Sequence, residues 1–352
     1  MACASRAKQM WNPGRTWTGS ACGTMAEKPR VSVLIVNWNG AEHLRLCLPG
    51  LAAQSLPPVE IIVVDNCSSD DSAEVARNFG VRWLPLEANF GLAPALNRGA
   101  AIAQGDLLLS VNNDMRFDAG LVAALAEPLQ RDEKIFATDA MQFNWDGSRR
   151  AHLALQLTKK SGQGDASTEL VPGLHFYQQQ KPQTSRVFMA CGAATMLRKA
   201  FFEQLGGFDD RLPLGYEDSE ICWRAWVHGW QTVYVPGAIC WHRVGGSSRS
   251  LAAARFNFRG ILRGRLLLAT KLLPRRYALR TWLVSTIGLA KDIGQLKWKF
   301  AADRIRILFS TAGLVPQLLR EKKALFGNVG SSPENMLELL LGLTDDGVRA
   351  SP

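Results

Sequence analysis

An adjacent pair of acids and a later histidine are the residues of this chain whose types and spacing best suit chemistry. Glu217 and Asp218 stand at the start of a predicted helix, and His242 follows about one helix and one strand later. A carboxylate can take a proton from a substrate, and a histidine can bind a metal ion. Acids in a first helical turn can equally complement the helix dipole, and a lone histidine can be purely structural. Both interpretations stay open on these residues alone.

Further polar residues stand at the ends of apolar runs earlier in the chain. Asn37 follows VSVLIV, Asp65 ends EIIVVD, and the triplet Asn112, Asn113, Asp114 follows LLLSV. In a parallel sheet, ligands bind outside the carboxyl ends of the strands. We therefore expect the three strand ends to meet in one crevice. The alternative for Asp65, which precedes a cluster of turn-forming residues, is to cap the next helix.

The elements that would position these residues alternate regularly from Val31 onward. Short β-branched runs alternate with helical stretches, the sequence form of βαβ units. The runs are apolar nearly throughout, which is typical of parallel strands covered by helices on both faces. Helices are predicted over residues 41–53, 70–78, 92–104, 119–129 and 219–228. This pattern predicts an α/β fold with a doubly wound, mostly parallel sheet.

In this order, the segments resemble the family 2 glycosyltransferases that use nucleotide sugars, particularly the rhamnosyltransferase-type members. The resemblance covers roughly residues 31–250 and rests on Asp65, on residues 89–99, on residues 112–114 and on the Glu217–Asp218 pair. It implies the GT-A nucleotide-diphospho-sugar transferase fold and an inverting glycosyltransferase. The implied reaction moves a sugar, with rhamnose from dTDP-rhamnose as the best candidate, to a hydroxyl of a lipid-linked saccharide or a cell-surface polysaccharide.

The resemblance also implies which residues bind the nucleotide-sugar donor. Residues 89–99, NFGLAPALNRG, resemble the family's N-x-G-x-x-x-x-x-N-x-G pattern, although a tight strand-to-helix turn is their structural alternative. Asp65 would accept hydrogen bonds from the base, and Gly91 would let helix-start amides approach the diphosphate. The full expected set is Asn37, Asp65, Asn89, Gly91, Asn97, Asn112 and Asn113.

Residues 112–114 stand where the family has its D-x-D motif, whose carboxylates hold a divalent cation. Asn112 replaces the first acid, which removes one negative charge from the site. The resemblance implies Asp114 and His242 as protein ligands of Mg²⁺ or Mn²⁺. Mg²⁺ can bind through one carboxylate together with substrate phosphates and waters, whereas Mn²⁺ tolerates imidazole better.

Catalytic roles for the acid pair follow from the same resemblance. Asp218 would act as the base that takes the proton from the acceptor hydroxyl, while the sugar leaves its diphosphate with oxocarbenium character. A positioned base of this kind contributes roughly 10²–10⁴ in rate. Glu217 would orient the site or accept a hydrogen bond from the donor or the acceptor. Attack from the face opposite the leaving diphosphate inverts the anomeric carbon.

The net charge of +10 is concentrated near the C-terminus. Residues 251–327 contain 16 Lys or Arg and 3 Asp or Glu, which is +13, so the rest of the chain sums to −3. Basic residues beside apolar ones suit a helix lying on an anionic membrane surface. Plain helical packing with solvated arginines is the alternative. Nucleic acid is not an expected partner, because no nucleic-acid motif is found and residues 31–250 are acidic overall.

Cysteine usage and hydropathy bear on the compartment. Seven cysteines form no C-x-x-C pair and no even framework, which predicts reduced thiols in a cytoplasmic protein. No apolar run reaches the length of a membrane span, and the first residues do not resemble a signal peptide. We therefore expect a cytoplasmic protein that is peripheral at the inner face of the cytoplasmic membrane.

The chain divides into four predicted parts. Residues 1–30 form a disordered leader, unless Met25 is the true start, and residues 31–250 form the GT-A catalytic domain. Residues 251–327 form a basic amphipathic helical region, and residues 328–352 a C-terminal tail. Periodicity fades between Trp145 and Arg186, a length that suits a functional or mobile loop, and we expect this loop to select the acceptor.

Two rival functions use the same fold class. A nucleotide-dependent oxidoreductase also uses a doubly wound sheet, but the first strand-to-helix turn, residues 37–40, is NWNG and lacks G-x-G-x-x-G. A catalytically inactive, membrane-associated scaffold of a glycan assembly complex is favoured only by Asn112. Unchanged glycan assembly after both Asp114→Ala and Asp218→Ala would favour the scaffold.

Overall fold

The computed structural model describes residues 28–148, 150–162, 166–212, 215–243 and 251–344. The predicted leader and Met25 therefore lie outside the described residues, apart from residues 28–30. The strands are β1 (Val31–Asn37), β2 (Glu60–Asp65), β3 (Arg82–Pro85), β4 (Leu107–Asn112), β5 (Met115–Phe117), β6 (Ile135–Asn144), β7 (Arg150–His152), β8 (Ala154–Thr158), β9 (Ala166–Val171), β10 (Leu174–Gln179), β11 (Ser185–Val187), β12 (Ala194–Arg198) and β13 (Gln231–His242).

The five helices predicted from the sequence are present, with each boundary within two residues of its predicted place. The helices are α1 (Ala41–Ala52), α2 (Ser72–Asn78), α3 (Leu92–Ile102), α4 (Leu121–Arg131), α5 (Lys199–Gln204), α6 (Glu217–Val227), α7 (Leu251–Leu272), α8 (Arg275–Gly294), α9 (Trp298–Ala312), α10 (Val315–Val329) and α11 (Pro333–Leu341), followed by a short 3₁₀ turn, Gly342–Thr344.

A ten-stranded sheet forms the centre of the molecule, with the main order β11-β13-β6-β12-β4-β1-β2-β3. Pairing is parallel from β4 through β1 and β2 to β3, and again between β6 and β13. β12 runs antiparallel between β4 and β6. The prediction of an α/β fold with a mostly parallel sheet is confirmed.

Helices cover both faces of this sheet, as the continuously apolar strands require. On one face, Leu34 of β1 packs in a cluster with Leu96 of α3 and Trp223 of α6. On the other face, the neighbouring Val33 packs in a second cluster that includes Leu44 of α1. Alternating strand residues thus serve two separate cores, so that β1 is buried from both sides.

The register of the central strands aligns their polar ends. Asn37 pairs with Asp65 across β1 and β2, and Val36 pairs with Asn112 across β1 and β4. Parallel pairing without a register shift at these ends brings the last residues of three strands to one edge of the sheet. This is the edge where the sequence predicts a crevice.

The prediction of a loop between Trp145 and Arg186 is wrong. Four strands, β7 to β10, lie in this range and β11 begins at its end, and β8, β10 and β9 form a second, antiparallel sheet. Leu155 and Leu157 of β8 share a core cluster with Leu337 and Leu340 of α11. The apolar residues of β8 pack against a helix more than 150 residues later in the chain, a partner that local periodicity does not show. The expected role of residues 145–186 in acceptor selection stays a prediction.

The C-terminal region is helical, as expected, and it is joined to the sheet domain by charged contacts. Lys271 of α7 lies 2.6 Å from Glu220 Oε1 of α6 and 2.9 Å from Asp209 Oδ2. The division at residue 250 stays a prediction, since α7 packs directly on α6. None of the helices in the described ranges combines the length and the apolar character that crossing a membrane requires.

Candidate active site

The ends of β1 and β2 and the residue after β4 meet through their side chains. Asn37 Nδ2 donates to Asp65 Oδ1 at 3.1 Å, and Asn113 Nδ2 donates to Asn37 Oδ1 at 2.8 Å. Ser68 donates its backbone N–H to Asp65 Oδ2 at 2.8 Å and its hydroxyl to Asp65 Oδ1. The predicted convergence of strand ends is therefore present. Ser68 was not anticipated as a member of this cluster.

The alternative that Asp65 caps the next helix is wrong. The N-cap residue of α2 is Asp71, and the preceding Asp70 accepts through Oδ1 from the backbone N–H of Ser72, the first residue of α2, at 3.1 Å. Asp65 is 4% exposed and directed toward the strand ends. A carboxylate has about four acceptor positions, and the three bonds from Asn37 and Ser68 leave one of them open.

The residues before α3 form a loop held against the end of β2. Asn66 donates through Nδ2 to the Gly91 carbonyl at 3.1 Å, and its Oδ1 accepts from the Phe90 N–H at 3.3 Å. Asn89 Oδ1 accepts from the Gly91 N–H at 3.0 Å. Gly91 has a φ of +90°, a conformation that favours glycine, and its turn starts α3 beside Asp65.

Asn97 differs from the other predicted donor-binding residues in its contacts. Its Nδ2 donates to the Phe208 carbonyl at 2.9 Å and to Asp210 Oδ1 at 2.7 Å. Its Oδ1 accepts from the Phe208 N–H at 2.9 Å. The side chain thus holds the turn after α5 against α3. A direct role for Asn97 in donor binding stays a prediction.

Asp114 and His242 face each other across the β5–β13 pairing. Asp114 Oδ1 lies 3.1 Å from His242 Nε2, and Asn112 Nδ2 lies 3.3 Å from the same nitrogen. Two ligand atoms at right angles on a cation, each about 2.1 Å from it, are about 3 Å apart. The pair fits two neighbouring ligands of a divalent cation. No group of three or more His, Cys, Asp or Glu in the described ranges is arranged to hold a metal ion, so other ligand positions are left to water or to a bound molecule.

Glu217 and Asp218 begin α6. Asp218 Oδ2 accepts from the backbone N–H of Gly192 at 2.8 Å, within a turn formed by residues 191–194. A Cβ at position 192 would lie 2.5 Å from Asp218 Oδ1, so this close approach requires glycine. Glu217 is buried, whereas Asp218 keeps part of its surface exposed.

Burial governs the charge of both acids. It raises the pKa of Glu217, and the neighbouring Asp218 charge raises it further. Burial also raises the pKa of Asp218; the Gly192 N–H opposes this change, and the charge of Asp139 adds to it. Glu217 Oε2 has no hydrogen-bond partner in the described part of the chain. Asp218 is thereby suited to exchange a proton near neutral pH, and Glu217 favours its neutral form.

The 191–194 turn connects the two halves of the site and was missed in the sequence. The Ala193 carbonyl accepts from the Asn112 N–H at 3.0 Å, one residue after the Gly192 bond to Asp218. The signal that could have identified this turn is its run of small residues, CGAA, before β12. Asp139 and His152, which lie behind the turn, carry no local signal.

Helix α6 is also held from the C-terminal region. Tyr216, immediately before Glu217, has a φ of +73° and donates its hydroxyl to the Leu170 carbonyl at 2.9 Å. Arg265 of α7 donates through Nε to the same hydroxyl at 3.0 Å. The position of the acid pair therefore depends on α7 and on the second sheet.

Two family models match overlapping parts of the chain. The model described as Glycosyl transferase family 2 matches residues 32–206, and the model described as Glycosyl transferase family group 2 matches residues 167–310. Together they extend from β1 into α9.

A curated relative is the N-acetylglucosaminyl-diphospho-decaprenol L-rhamnosyltransferase of Mycobacterium tuberculosis. It is 28% identical over 245 residues, which covers 63% of this chain and 78% of the relative.

Two solved structures share the fold. GalNAc-T7 with UDP, GalNAc and Mn²⁺ aligns with a TM-score of 0.55 at 20% identity, over 79% of this chain and 55% of that one. The mannosyltransferase PcManGT from Pyrobaculum calidifontis, with GDP-Man and Mn²⁺, aligns with a TM-score of 0.50 at 16% identity, over 82% of this chain and 88% of that one. The expected GT-A fold is confirmed.

Proposed function

Because the chain belongs to glycosyltransferase family 2 and is an enzyme that uses a nucleotide-sugar donor, we propose that it transfers the sugar with inversion to a saccharide hydroxyl. The observation that carries this proposal is the 191–194 turn. It bonds the strand end that leads to Asp114 on one side and the Asp218 carboxylate on the other. The adjacent residues Gly192 and Ala193 thereby join the base for the acceptor to the site for the leaving diphosphate.

In the proposed step, the acceptor oxygen attacks the anomeric carbon from the face opposite the diphosphate. A new carbon–oxygen bond forms, and the bond from the anomeric carbon to the phosphate oxygen breaks, with its electron pair going to the diphosphate. Asp218 takes the acceptor proton, for which its raised pKa is suited. Neutral Glu217 orients the site through its unpaired oxygen.

The strand-end cluster binds the donor in this proposal. Asp65 keeps one free acceptor position for the N–H of a base, and Asn37 and Asn113 fix that carboxylate in place. The glycine turn at Gly91 leaves the start of α3 open to phosphate oxygens. The proposed donor site consists of Asn37, Asp65, Asn89, Gly91, Asn112 and Asn113, with Asn97 supporting α3 from behind.

Asp114 and His242 would hold Mg²⁺ or Mn²⁺, as their 3.1 Å spacing allows. A bound cation supplies charge that offsets the charge growing on the leaving diphosphate. The carboxylate of Asp114 and the neutral imidazole of His242 would together fix its place beside Asn112. Mn²⁺ in the two solved structures supports this assignment by analogy of fold.

The mycobacterial relative supports a finer assignment of donor and acceptor. Its name specifies an L-rhamnosyl group and an acceptor carried on a decaprenyl diphosphate. We assign this chain rhamnose from dTDP-rhamnose as donor, and a lipid-linked saccharide or a cell-surface polysaccharide as acceptor.

A donor screen tests the proposed function. Purified protein with Mg²⁺ or Mn²⁺ is incubated with a panel of nucleotide sugars, and released nucleoside diphosphate is measured together with donor binding by calorimetry. We expect release, or metal-dependent binding, with dTDP-rhamnose in preference to UDP- and GDP-sugars. Absence of both turnover and binding across the panel would contradict the proposal. Binding without turnover calls for repeating the assay with a lipid-linked acceptor.

An exposed surface on α8 and α9 fits a membrane. It carries large apolar side chains that are 59–77% exposed, with basic residues between them. The apolar members are Leu279, Leu283, Ile287, Leu296, Trp298 and Phe309, and the basic ones are Arg276, Arg280, Lys291, Lys297, Lys299 and Arg306. Leu279, Leu283 and Ile287 recur every four residues, so they share one face of α8. We assign this surface to the anionic inner face of the cytoplasmic membrane, where a lipid-linked acceptor is presented.

Vesicle sedimentation tests this assignment. We expect binding to vesicles containing phosphatidylglycerol, weaker binding to pure phosphatidylcholine, and loss of binding in high salt. Leu283→Asp with Ile287→Asp removes apolar contact and should weaken binding by about tenfold or more. Val59→Asp, an exposed apolar residue before β2, is the matched control and should bind like the unaltered protein. Equal binding by the double variant would exclude this surface.

A further inference from the structure

A buried acid–histidine pair lies behind the proposed base. Asp139 of β6 is 0% exposed and His152 of β7 is 6% exposed, and His152 Nε2 lies 2.8 Å from Asp139 Oδ2. Neither residue is required by the proposed reaction. Buried charges carry a desolvation cost of several kcal/mol, so such a pair in a protein core calls for an explanation.

The pair reaches Asp218 through one turn of backbone. Asp139 Oδ1 accepts from the Cys191 N–H at 3.0 Å, and the next N–H along the chain, that of Gly192, donates to Asp218 Oδ2 at 2.8 Å. Two consecutive amides are thus held between two carboxylates. Asp139 fixes the first amide, and the second is thereby presented to Asp218.

We infer that Asp139 and His152 are positioning residues for the proposed base: they hold the 191–194 turn against Asp218 and place two titratable groups behind its carboxylate. This inference rests on the proposed function of Asp218 and deepens it. His152 completes the arrangement, because it is the side chain that fixes the second oxygen of Asp139.

Opposite electrostatic effects of the two residues support the inference. A negative charge on Asp139 raises the pKa of Asp218, and a positive charge on His152 lowers it. Burial raises the pKa of Asp139 itself, and the contacts of Asp139 with His152 and with the Cys191 N–H oppose that rise. Three further titratable groups interact electrostatically with Asp218. Glu217 is the adjacent acid on α6, and the thiols of Cys191 and Cys222 have pKa values raised to about 12 by burial, so both stay neutral. Asp139 and His152 are therefore the titratable groups on neighbouring strands that act electrostatically on Asp218.

Two variants separate charge from structure. His152→Gln keeps a neutral N–H donor for Asp139 and removes the imidazole that can carry a positive charge, so the turn is retained. Asp139→Asn removes the negative charge that faces Asp218. Because Asp218 acts as a base only when ionised, its pKa sets the acidic limb of kcat/KM against pH. We expect His152→Gln to move this limb upward and Asp139→Asn to move it downward, each by about 0.5 to 1 pH unit.

The pH profiles are measured for the unaltered protein, both variants and His175→Gln, a histidine on β10 that serves as the matched control. Thermal unfolding shows whether each variant is folded. Opposite shifts, with no shift in the control, support the inference. A purely structural role would lower kcat without moving the limb, and that result would overturn it.

A second measurement does not need turnover. Protein labelled with ¹³C at aspartate carboxyls is titrated by NMR, and the Asp218 signal is identified by its loss in Asp218→Asn. We expect the same opposite shifts in the pKa of Asp218. An identical pKa in the unaltered protein and in His152→Gln would overturn the inference even if the donor screen succeeds. If the screen fails, the proposed function fails separately.

Discussion

Replacing Asp218 by asparagine is expected to lower kcat by roughly 10²- to 10⁴-fold, the usual contribution of a positioned base. The amide keeps the size of the carboxylate and can still accept from the Gly192 N–H, so the 191–194 turn should remain in place. The amide oxygen cannot take the proton of the acceptor hydroxyl. We therefore expect nucleotide-sugar binding to change little while turnover is lost. Release of nucleoside diphosphate and calorimetric binding of the donor measure the two effects separately.

Glu133→Gln provides a matched control, because Glu133 is exposed and lies in the turn before β6, at the end of that strand remote from its site edge. It should retain full activity. The unaltered enzyme should also lose activity as the pH falls. The base works when ionised, and its pKa is raised by burial, so activity should decline at a pH above the ordinary titration range of aspartate. Retention of more than a tenth of kcat by Asp218→Asn would exclude Asp218 as the base.

Replacing Asp114 by alanine is expected to lower kcat/KM by about 10²-fold or more, since charge stabilisation by a bound cation is worth several kcal/mol. Asp114 is the acid of the 112–114 triplet, and Asn112 cannot supply the missing charge. The loss should appear as weaker nucleotide binding in Mn²⁺. In EDTA the variant and the unaltered protein should bind the nucleotide equally weakly. Calorimetry with and without EDTA provides this comparison.

His242→Ala distinguishes a metal ligand from a structural histidine. Imidazole favours Mn²⁺ over Mg²⁺, so the variant should lose more activity in Mn²⁺ than in Mg²⁺. His228→Gln, a histidine at the end of α6, is the control and should preserve the metal preference. Equal losses in both metals would assign His242 a structural role. Full nucleotide affinity of Asp114→Ala in Mn²⁺ would contradict the proposed metal site.

The sequence predicted the sheet and the placement of its polar ends because these depend on local information. A continuously apolar strand followed by a helix requires burial on both faces, and a parallel register places the ends of neighbouring strands side by side. Asn37, Asp65 and Asn113 meet for this reason. The start of α3 was likewise visible as a glycine turn at Gly91, and the start of α6 as two acids before a periodic stretch.

The charge of the acid pair could not be derived from the sequence. Glu217 and Asp218 are adjacent acids in the chain, yet the fold buries the first and leaves the second partly exposed against Gly192. Burial depends on which residues pack over a side chain. Here Tyr216, which directly precedes Glu217, is held by Arg265, about 50 residues later in the chain. The same limit explains the missed second sheet, because the leucines of its strand β8 pack with α11, far away in the chain.

The sequence by itself therefore determined the fold class and the residues that could do chemistry, because strand burial, helix starts and strand ends are set by neighbours in the chain. Tertiary structure alone decided which of these residues share a hydrogen bond, which acid is buried and that Asp139 and His152 lie behind Asp218. Hydrogen-bond geometry and desolvation depend on atoms brought together from distant segments, and only folding brings them together.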